Sequence, residues 1–252
     1  METELKEQLN NVTQSLTAEE TATIKEMIAT GVLFGRKQSK TNPKMAKYIF
    51  SYSKGIAIFD LLQTINLLDQ AIVFLKDVVS KKLPVLVVGT QPAVKDLVEN
   101  FAKQHGFAFV NERWLGGTLT NFKTISKRVD YFKQLKADKE TGQLEKYTKK
   151  ERLLMDREIT RMTRMFAGIE NLTQLPFVLL LIDAEAHETA VREAKLLKIP
   201  MIAVMNNDNN PEPITYPVPA NDNLRSSLIW ILDRISKGLE LVKSQSPTSN
   251  EQ

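Results

Sequence analysis

The sequence contains no cysteine and only two histidines, His105 and His187, among its 252 residues. Without a thiol there is no disulfide framework, zinc ribbon or thiol nucleophile. Neither histidine begins a metal set or a catalytic triad, so the residues point to no catalytic group, no metal and no cofactor. Long apolar runs are missing as well. All fall short of the ~20 residues that a spanning helix needs, which predicts a soluble chain without a membrane partner. The opening METELKEQLNNVTQSLTAEE is acidic and polar and has no apolar core of the kind a secretory leader carries, which predicts a cytoplasmic address.

What is present suits a substantial core. Hydrophobic residues make up 42% of the chain, enough for one large domain or a domain carrying an insertion. The net charge of +4 is modest, but its distribution is uneven. Residues 1–30 carry six acids against two lysines, whereas residues 31–54 carry Arg36, Lys37, Lys40, Lys44, Lys47 and Lys54 with no acid. A second basic zone spans residues 121–170, where thirteen Lys/Arg outnumber eight Asp/Glu. Charge alone is compatible with two solvated faces, or with a polyanion touched at several points.

Thr17-Ala18-Glu19-Glu20 has the form of a capping box, predicting a helix that runs to about Thr30 and stops at Gly31. Asn42-Pro43 disfavours helix, so the basic stretch reads as an extended loop leading into Tyr48-Ile49-Phe50. From Gly55 short apolar runs alternate with helix-length amphipathic segments. The predicted strands are 56–61, 84–88, 107–110, 177–182 and 200–205, and the predicted helices 64–80, 92–104, 187–197 and 223–243. Continuously apolar strands alternating with helices predict a doubly wound, parallel five-stranded α/β sheet buried on both faces.

One interval breaks the alternation: about 65 residues separate the third and fourth strands, where a crossover needs only about a dozen. Phe122, Ile125, Val129 and Phe132, and then Met155, Ile159, Met162, Phe166 and Ile169, recur at steps of 3 and 4, a heptad pattern. With a turn over 138–142 and a second capping box at Thr148-Lys149-Lys150-Glu151, the insertion reads as an antiparallel coiled-coil hairpin. Arms of ~18 residues would reach roughly 25 Å. The organisation expected is therefore an N-terminal helix and basic loop (1–54), an α/β domain (55–110 and 171–243), a hinge and hairpin (111–170) and a disordered polar tail (244–252).

Three places merit a chemical reading. Asp183, Glu185 and Glu188 at a strand's end are explained by helix capping and a solvated loop. Val88-Gly89-Thr90-Gln91-Pro92 joins a strand to a helix, where such folds often bind phosphate, but it has one glycine and no P-loop lysine, so a turn capped by Thr90 is the better reading. The third, 111–122 (Asn-Glu-Arg-Trp-Leu-Gly-Gly-Thr-Leu-Thr-Asn-Phe), is the most unusual. Gly116-Gly117 allows positive φ and close backbone approach. Arg113 can fork onto carboxylate or phosphate, or satisfy carbonyls in a tight hinge with Trp114 buried; the residues leave both open.

Arg113 to Phe122 resembles the signature of the ribosomal protein S2 family of the bacterial small subunit. Other blocks agree in order: Asn42-Pro43-Lys44-Met45 with Tyr48-Ile49-Phe50, Gly55-Ile56 with Asp60-Leu61 and Thr64, Val88-Gly89-Thr90, Leu175-Pro176 with Ile182-Asp183, Ala190-Val191-Arg192-Glu193-Ala194, Ile199-Pro200 and Pro219-Ala220-Asn221-Asp222. The chain departs where the family reads His-Phe-Gly-His and then Trp-Asn-Pro-Lys-Met, having Leu33-Phe34-Gly35-Arg36 and Thr41-Asn42-Pro43-Lys44-Met45. It departs again at Asn206-Asn207-Asp208, where the family reads Asp-Thr-Asn. The resemblance implies a flavodoxin-like domain with a projecting coiled coil, located in the small ribosomal subunit of the cytoplasm. It further implies binding of small-subunit rRNA and of neighbouring ribosomal proteins, including the large mRNA-binding protein S1, without catalysis. Charge placement nominates the RNA-binding residues: Arg36, Lys37, Lys40, Lys44 and Lys47 in the first basic loop, and Arg113, Lys123, Lys127 and Arg128 at the hinge and hairpin base. The rival expectation is an enzyme that binds nucleotide at the carboxyl ends of the strands. A third is a coiled-coil scaffold without an RNA role.

Overall fold

The computed structural model describes residues 17–243; the expected tail at 244–252 and the first residues of the N-terminal segment lie outside them. The first helix, α1 (Ala18–Thr30), begins as its capping box requires: the Thr17 backbone N–H donates to Glu20 Oε2 at 2.9 Å and the Thr17 hydroxyl accepts from the Glu20 N–H. It ends at Gly31, whose φ of 76° is left-handed.

The basic stretch that follows is more structured than expected. It contains β1 (Phe34–Lys37), two 3-10 turns over Gln38–Lys40 and Pro43–Tyr48, and β2 (Ile49–Ser53). With β3 (Ile56–Phe59) these strands form an antiparallel sheet in the order β1-β3-β2. Lys54 and Gly55 both have positive φ and close the β2–β3 hairpin as a two-residue turn, the form whose twist matches the strands. This corrects the strand expected at 56–61: it is short and pairs with the basic segment instead of joining the parallel sheet. The pairing also crosses the boundary drawn at residue 54.

After β3, Asp60 caps α2 (Leu61–Ser80) by accepting from the N–H groups of Leu62 and Gln63. The parallel sheet consists of β4 (Val85–Val88), β5 (Ala108–Val110), β6 (Val178–Ile182), β7 (Met201–Met205) and β8 (Tyr216–Pro219), in the order β5-β4-β6-β7-β8. That is the flavodoxin-like strand order, with the switch point between β4 and β6. The helices α3 (Lys95–His105), α6 (Glu188–Leu196) and α7 (Arg225–Lys243) belong to the same alternation. The edge strand β8 is absent from the sequence reading because Pro217 and Pro219 lack the N–H that a ladder uses; at a sheet edge they are tolerated. Strands β4, β6 and β7 are buried throughout, as two covered faces require.

The insertion is the expected antiparallel helical pair, α4 (Phe122–Glu140) and α5 (Lys149–Phe166). Its seam is formed by Ile125, Val129, Phe132 and Leu135 against Ile159, Met162 and Phe166, with the Phe132 and Phe166 rings 6.5 Å apart. Phe122 and Met155, expected in the seam, are only half-buried. These side chains continue into the apolar layer on one sheet face, with Leu86, Val88, Leu179 and Leu181, so the hairpin is rooted in the core. Farther out, Leu153 and Leu154 are exposed. A turn over Ala167–Ile169 returns the chain to β5, and Gly168 permits the approach: a Cβ there would lie 2.1 Å from the Phe109 carbonyl oxygen.

Candidate nucleic-acid interface

The unusual loop over 111–121 is organised by a residue that sequence reasoning did not single out, Glu193 of α6. Its side chain is 6% exposed and its two oxygens face five donors. Oε1 accepts from Trp114 Nε1 at 3.0 Å and from the Gly117 N–H at 2.9 Å. Oε2 accepts from the N–H groups of Leu119 and Thr120 and from the Thr120 hydroxyl, at 2.9, 3.0 and 3.1 Å. Burial works to raise this carboxyl, and the hydrogen bonds from the loop outweigh it, holding Glu193 below its ordinary 4.5. The only sequence signal was its place in the block Ala190–Ala194, some 75 residues away in the chain from the loop it holds.

The paired glycines of this loop are not equivalent. Gly117 has φ +87° and gives its N–H to Glu193, whereas Gly116 has open space where a Cβ would sit. Gly117→Val is therefore expected to lower the thermal midpoint by several degrees, since a β-branched residue is strained at left-handed φ. Gly116→Ala should melt within about a degree of the parent; equal losses in both variants would contradict this division.

The resulting loop holds Arg113 exposed, while Trp114 is half-buried against Glu193. Immediately beyond, α4 displays Lys123, Lys127 and Arg128 on its exposed surface. The hinge and hairpin base thus form one basic surface. In the first basic segment Lys37, Lys40 and Lys47 are also exposed, with Lys47 over the Tyr48 ring at 4.8 Å. Lys44 is exposed and pairs with Glu212, a surface ion pair of small energetic weight.

Arg36 is placed differently from the other eight residues nominated for RNA. Its guanidinium lies at the carboxyl ends of the parallel strands, 2.8 Å from Asp208, 3.5 Å from Asp183 and 3.6 Å from Asp222. Its backbone N–H donates to Asn207 Oδ1 at 2.6 Å, and Asn207 also reaches the Thr41 hydroxyl at 2.7 Å. Arg36 thus ties the small antiparallel sheet to the large one. Asp183 is further held by Gln91, and it caps the next turn through the N–H groups of Glu185 and Ala186, as its position suggested. His187, buried, bridges the Asp183 carbonyl and the Thr90 hydroxyl; burial lowers its pKa below the ordinary 6.5.

This crevice is where doubly wound enzymes hold nucleotides. Here an arginine of the same chain fills it and three carboxylates surround it, a setting that repels phosphate. Asp222 is fully buried, accepts from Asn206 at 2.8 Å and leaves its other oxygen without a hydrogen-bond partner. Burial, and then the charge of Asp183, push its pKa from 3.8 up to about 7 against the opposing pull of Asn206 and Arg36. Because the folded state holds this proton more tightly than the unfolded state, stability from this group declines as pH rises from about 4 to about 7. Asp222→Asn, which mimics the protonated acid, is expected to flatten that part of the stability profile in urea unfolding at pH 5 and pH 8. An unchanged slope would contradict the assignment.

Fold and surface together define a doubly wound α/β protein whose strand-end crevice is occupied by its own Arg36 and whose exposed cations lie on an inserted helical arm and a basic segment. Residues 27–241 match the family model described as Ribosomal protein S2. The chain is 38% identical over 216 residues to the small ribosomal subunit protein uS2 of Petrotoga mobilis, covering 86% of this chain and 75% of that one. It is 39% identical over 216 residues to the protein of the same name from Dictyoglomus thermophilum, covering 86% of this chain and 88% of that one. The chain belongs to the ribosomal protein S2 family.

Proposed function

We propose that the chain, which its family makes a structural and non-enzymatic constituent of the small subunit of the cytoplasmic ribosome, holds small-subunit rRNA through phosphate contacts from two basic surfaces. One observation carries the assignment to residues. Lys37, Lys47, Arg113, Lys123, Lys127 and Arg128 are exposed and, among the described residues, form no salt bridge; Lys40 is exposed as well and is held only by a longer-range attraction to Asp208. Cations left unpaired by their own fold are free to meet phosphates, and such contacts fix register without reading sequence. Lys44 contributes by exchanging Glu212 for phosphate. Arg36 acts indirectly, fixing the small sheet that carries Lys37 and Lys40.

The partners extend to other small-subunit proteins, the large mRNA-binding protein S1 among them. Phe34, Phe50, Tyr52 and Ile56 of the small sheet are each at least 40% exposed and supply apolar surface of the kind a protein neighbour covers.

Binding to a small-subunit rRNA fragment should weaken as salt rises, with a log-log slope of roughly −0.7 to −0.9 per phosphate contact. Replacing Lys37, Lys40 and Lys47 together by alanine should reduce that slope by about 2. A salt-insensitive complex would contradict the phosphate-contact reading and favour a scaffold bound through protein surfaces.

A further inference from the structure

At the root of the hairpin a half-open cavity of about 550 Å³ lies between α4 and α5, inside the roughly 300–1,000 Å³ range of pockets that take small ligands. Its floor is apolar: Ile125, Met162 and Phe166 of the seam, with Met165 beside them and Leu115 of the hinge loop at one end. Its mouth is cationic. Lys127 and Arg128 stand on the α4 side and Arg161 on the α5 side, with Glu158 the single acid. Glu158, half-buried, is 3.6 Å from the exposed Arg161, so this pair is loose and exchangeable. Lys123, Lys127 and Tyr131 recur every four residues and form one exposed stripe leading to the cavity, with Tyr131 49% exposed at its edge.

An apolar hollow ringed by cations, with an exposed phenol at its rim, suits a ligand that is flat and weakly polar at its centre and anionic on both sides. We propose that the cavity receives one unstacked base of the bound RNA, its neighbouring phosphates held by Lys127, Arg128 and Arg161; this rests on the RNA-binding function proposed above. Unpaired bases in RNA are commonly taken up on aromatic side chains and arginine planes while lysines track the backbone. The thioethers of Met162 and Met165 are polarisable and adjust their rotamers, so the floor can accept either a purine or a pyrimidine face. The excess of cations at the mouth favours this polyanion over an apolar protein segment.

The full-length protein is titrated with an eight-nucleotide oligoadenylate and with an abasic oligomer carrying the same phosphates. In parallel it is titrated with the rRNA fragment over a range of salt. The expected result is tighter binding of the oligoadenylate, on the order of tenfold, since stacking of a single base has that weight. Filling the cavity by Met165→Trp should bring the two oligomers toward equal affinity. Thr124→Trp, which crowds the mouth from an exposed position outside the core, should do the same and guards against a folding defect in the first variant. Equal or absent binding of the two oligomers by the parent, alongside salt-dependent binding of the rRNA fragment, overturns the cavity assignment alone and leaves the groove to a protein neighbour. Loss of salt-dependent rRNA binding overturns the phosphate-contact reading as well.

Discussion

Replacing Glu193 by alanine is expected to destabilise the protein by about 3–5 kcal/mol, equivalent to a fall of roughly 10 °C in the thermal midpoint. The cause is not the lost side chain itself. It is the abandoned donors: the N–H groups of Gly117, Leu119 and Thr120 and the indole of Trp114 all point at the two carboxylate oxygens. Leu119 is 2% exposed, so its N–H has no route to water without opening the loop. Glu193→Gln keeps one acceptor oxygen but turns an amide NH2 toward donors, and should recover only part of the loss. A second signature is a pH dependence. A carboxyl held below its unfolded value contributes fully above about 4.5, and that contribution is lost as pH falls through the folded value. The parent should therefore lose more stability on acidification than Glu193→Gln does. Thermal melts of the three proteins at neutral and acidic pH decide the matter; a Glu193→Ala midpoint within a degree or two of the parent would show that the loop stands without its carboxylate.

The second large effect is expected at the seam of the hairpin. Ile159 is 9% exposed and faces α4, so Ile159→Asp places a carboxylate among Val129, Phe132 and Met162 at a cost of several kcal/mol. The arms should open while the parallel sheet persists, because the β4, β6 and β7 ladders are strand-to-strand pairings in which the hairpin takes no part. Hydrogen exchange resolves this by segment: amides of α4 and α5 should lose protection, and those of β6 and β7 should keep it. Undiminished protection in the arms would mean that the seam is assigned to the wrong residues. Full loss in the strands would mean that hairpin and sheet unfold as one unit.

The division between what could be read in the sequence and what could not follows the range of the interactions. Local signals were legible. The capping boxes at Thr17 and Thr148 start α1 and α5, Gly31 ends α1, and the alternating apolar runs mark β4 to β7. The steps of 3 and 4 in the insertion reveal the helical pair, though Leu135 joins the seam where Met155 and Phe122 were expected to. Strand partnership was not legible. The apolar run at 56–61 has the composition of a parallel strand, and only its two-residue turn after β2 commits it to the antiparallel sheet. The missing fifth strand was hidden by Pro217 and Pro219, which read as loop wherever edge position is unknown.

The candidate site shows the same divide. Charge density pointed to the basic segment and the hairpin base, and those cations are indeed exposed. Arg36, identical to them in composition, is drawn away by Asp183, Asp208 and Asp222, which lie about 150 to 190 positions later in the chain. Glu193 is likewise defined by donors on a distant loop. Pattern within a window finds surfaces; it does not find the long-range pairs that hold them in place.

The central claim, that this chain is held in the small ribosomal subunit by exposed cations on its basic segment and hairpin base, is tested most directly by sedimentation. Lysate carrying the parent protein, or a variant with Lys37, Lys40, Lys47, Lys123, Lys127 and Arg128 replaced by alanine, is separated on sucrose gradients at low and at raised salt. The parent should travel with the small subunits at low salt and be progressively released as salt rises, and the variant should remain with free protein at the top of the gradient. A variant that still travels with small subunits as fully as the parent, or a parent that never does, would contradict the account.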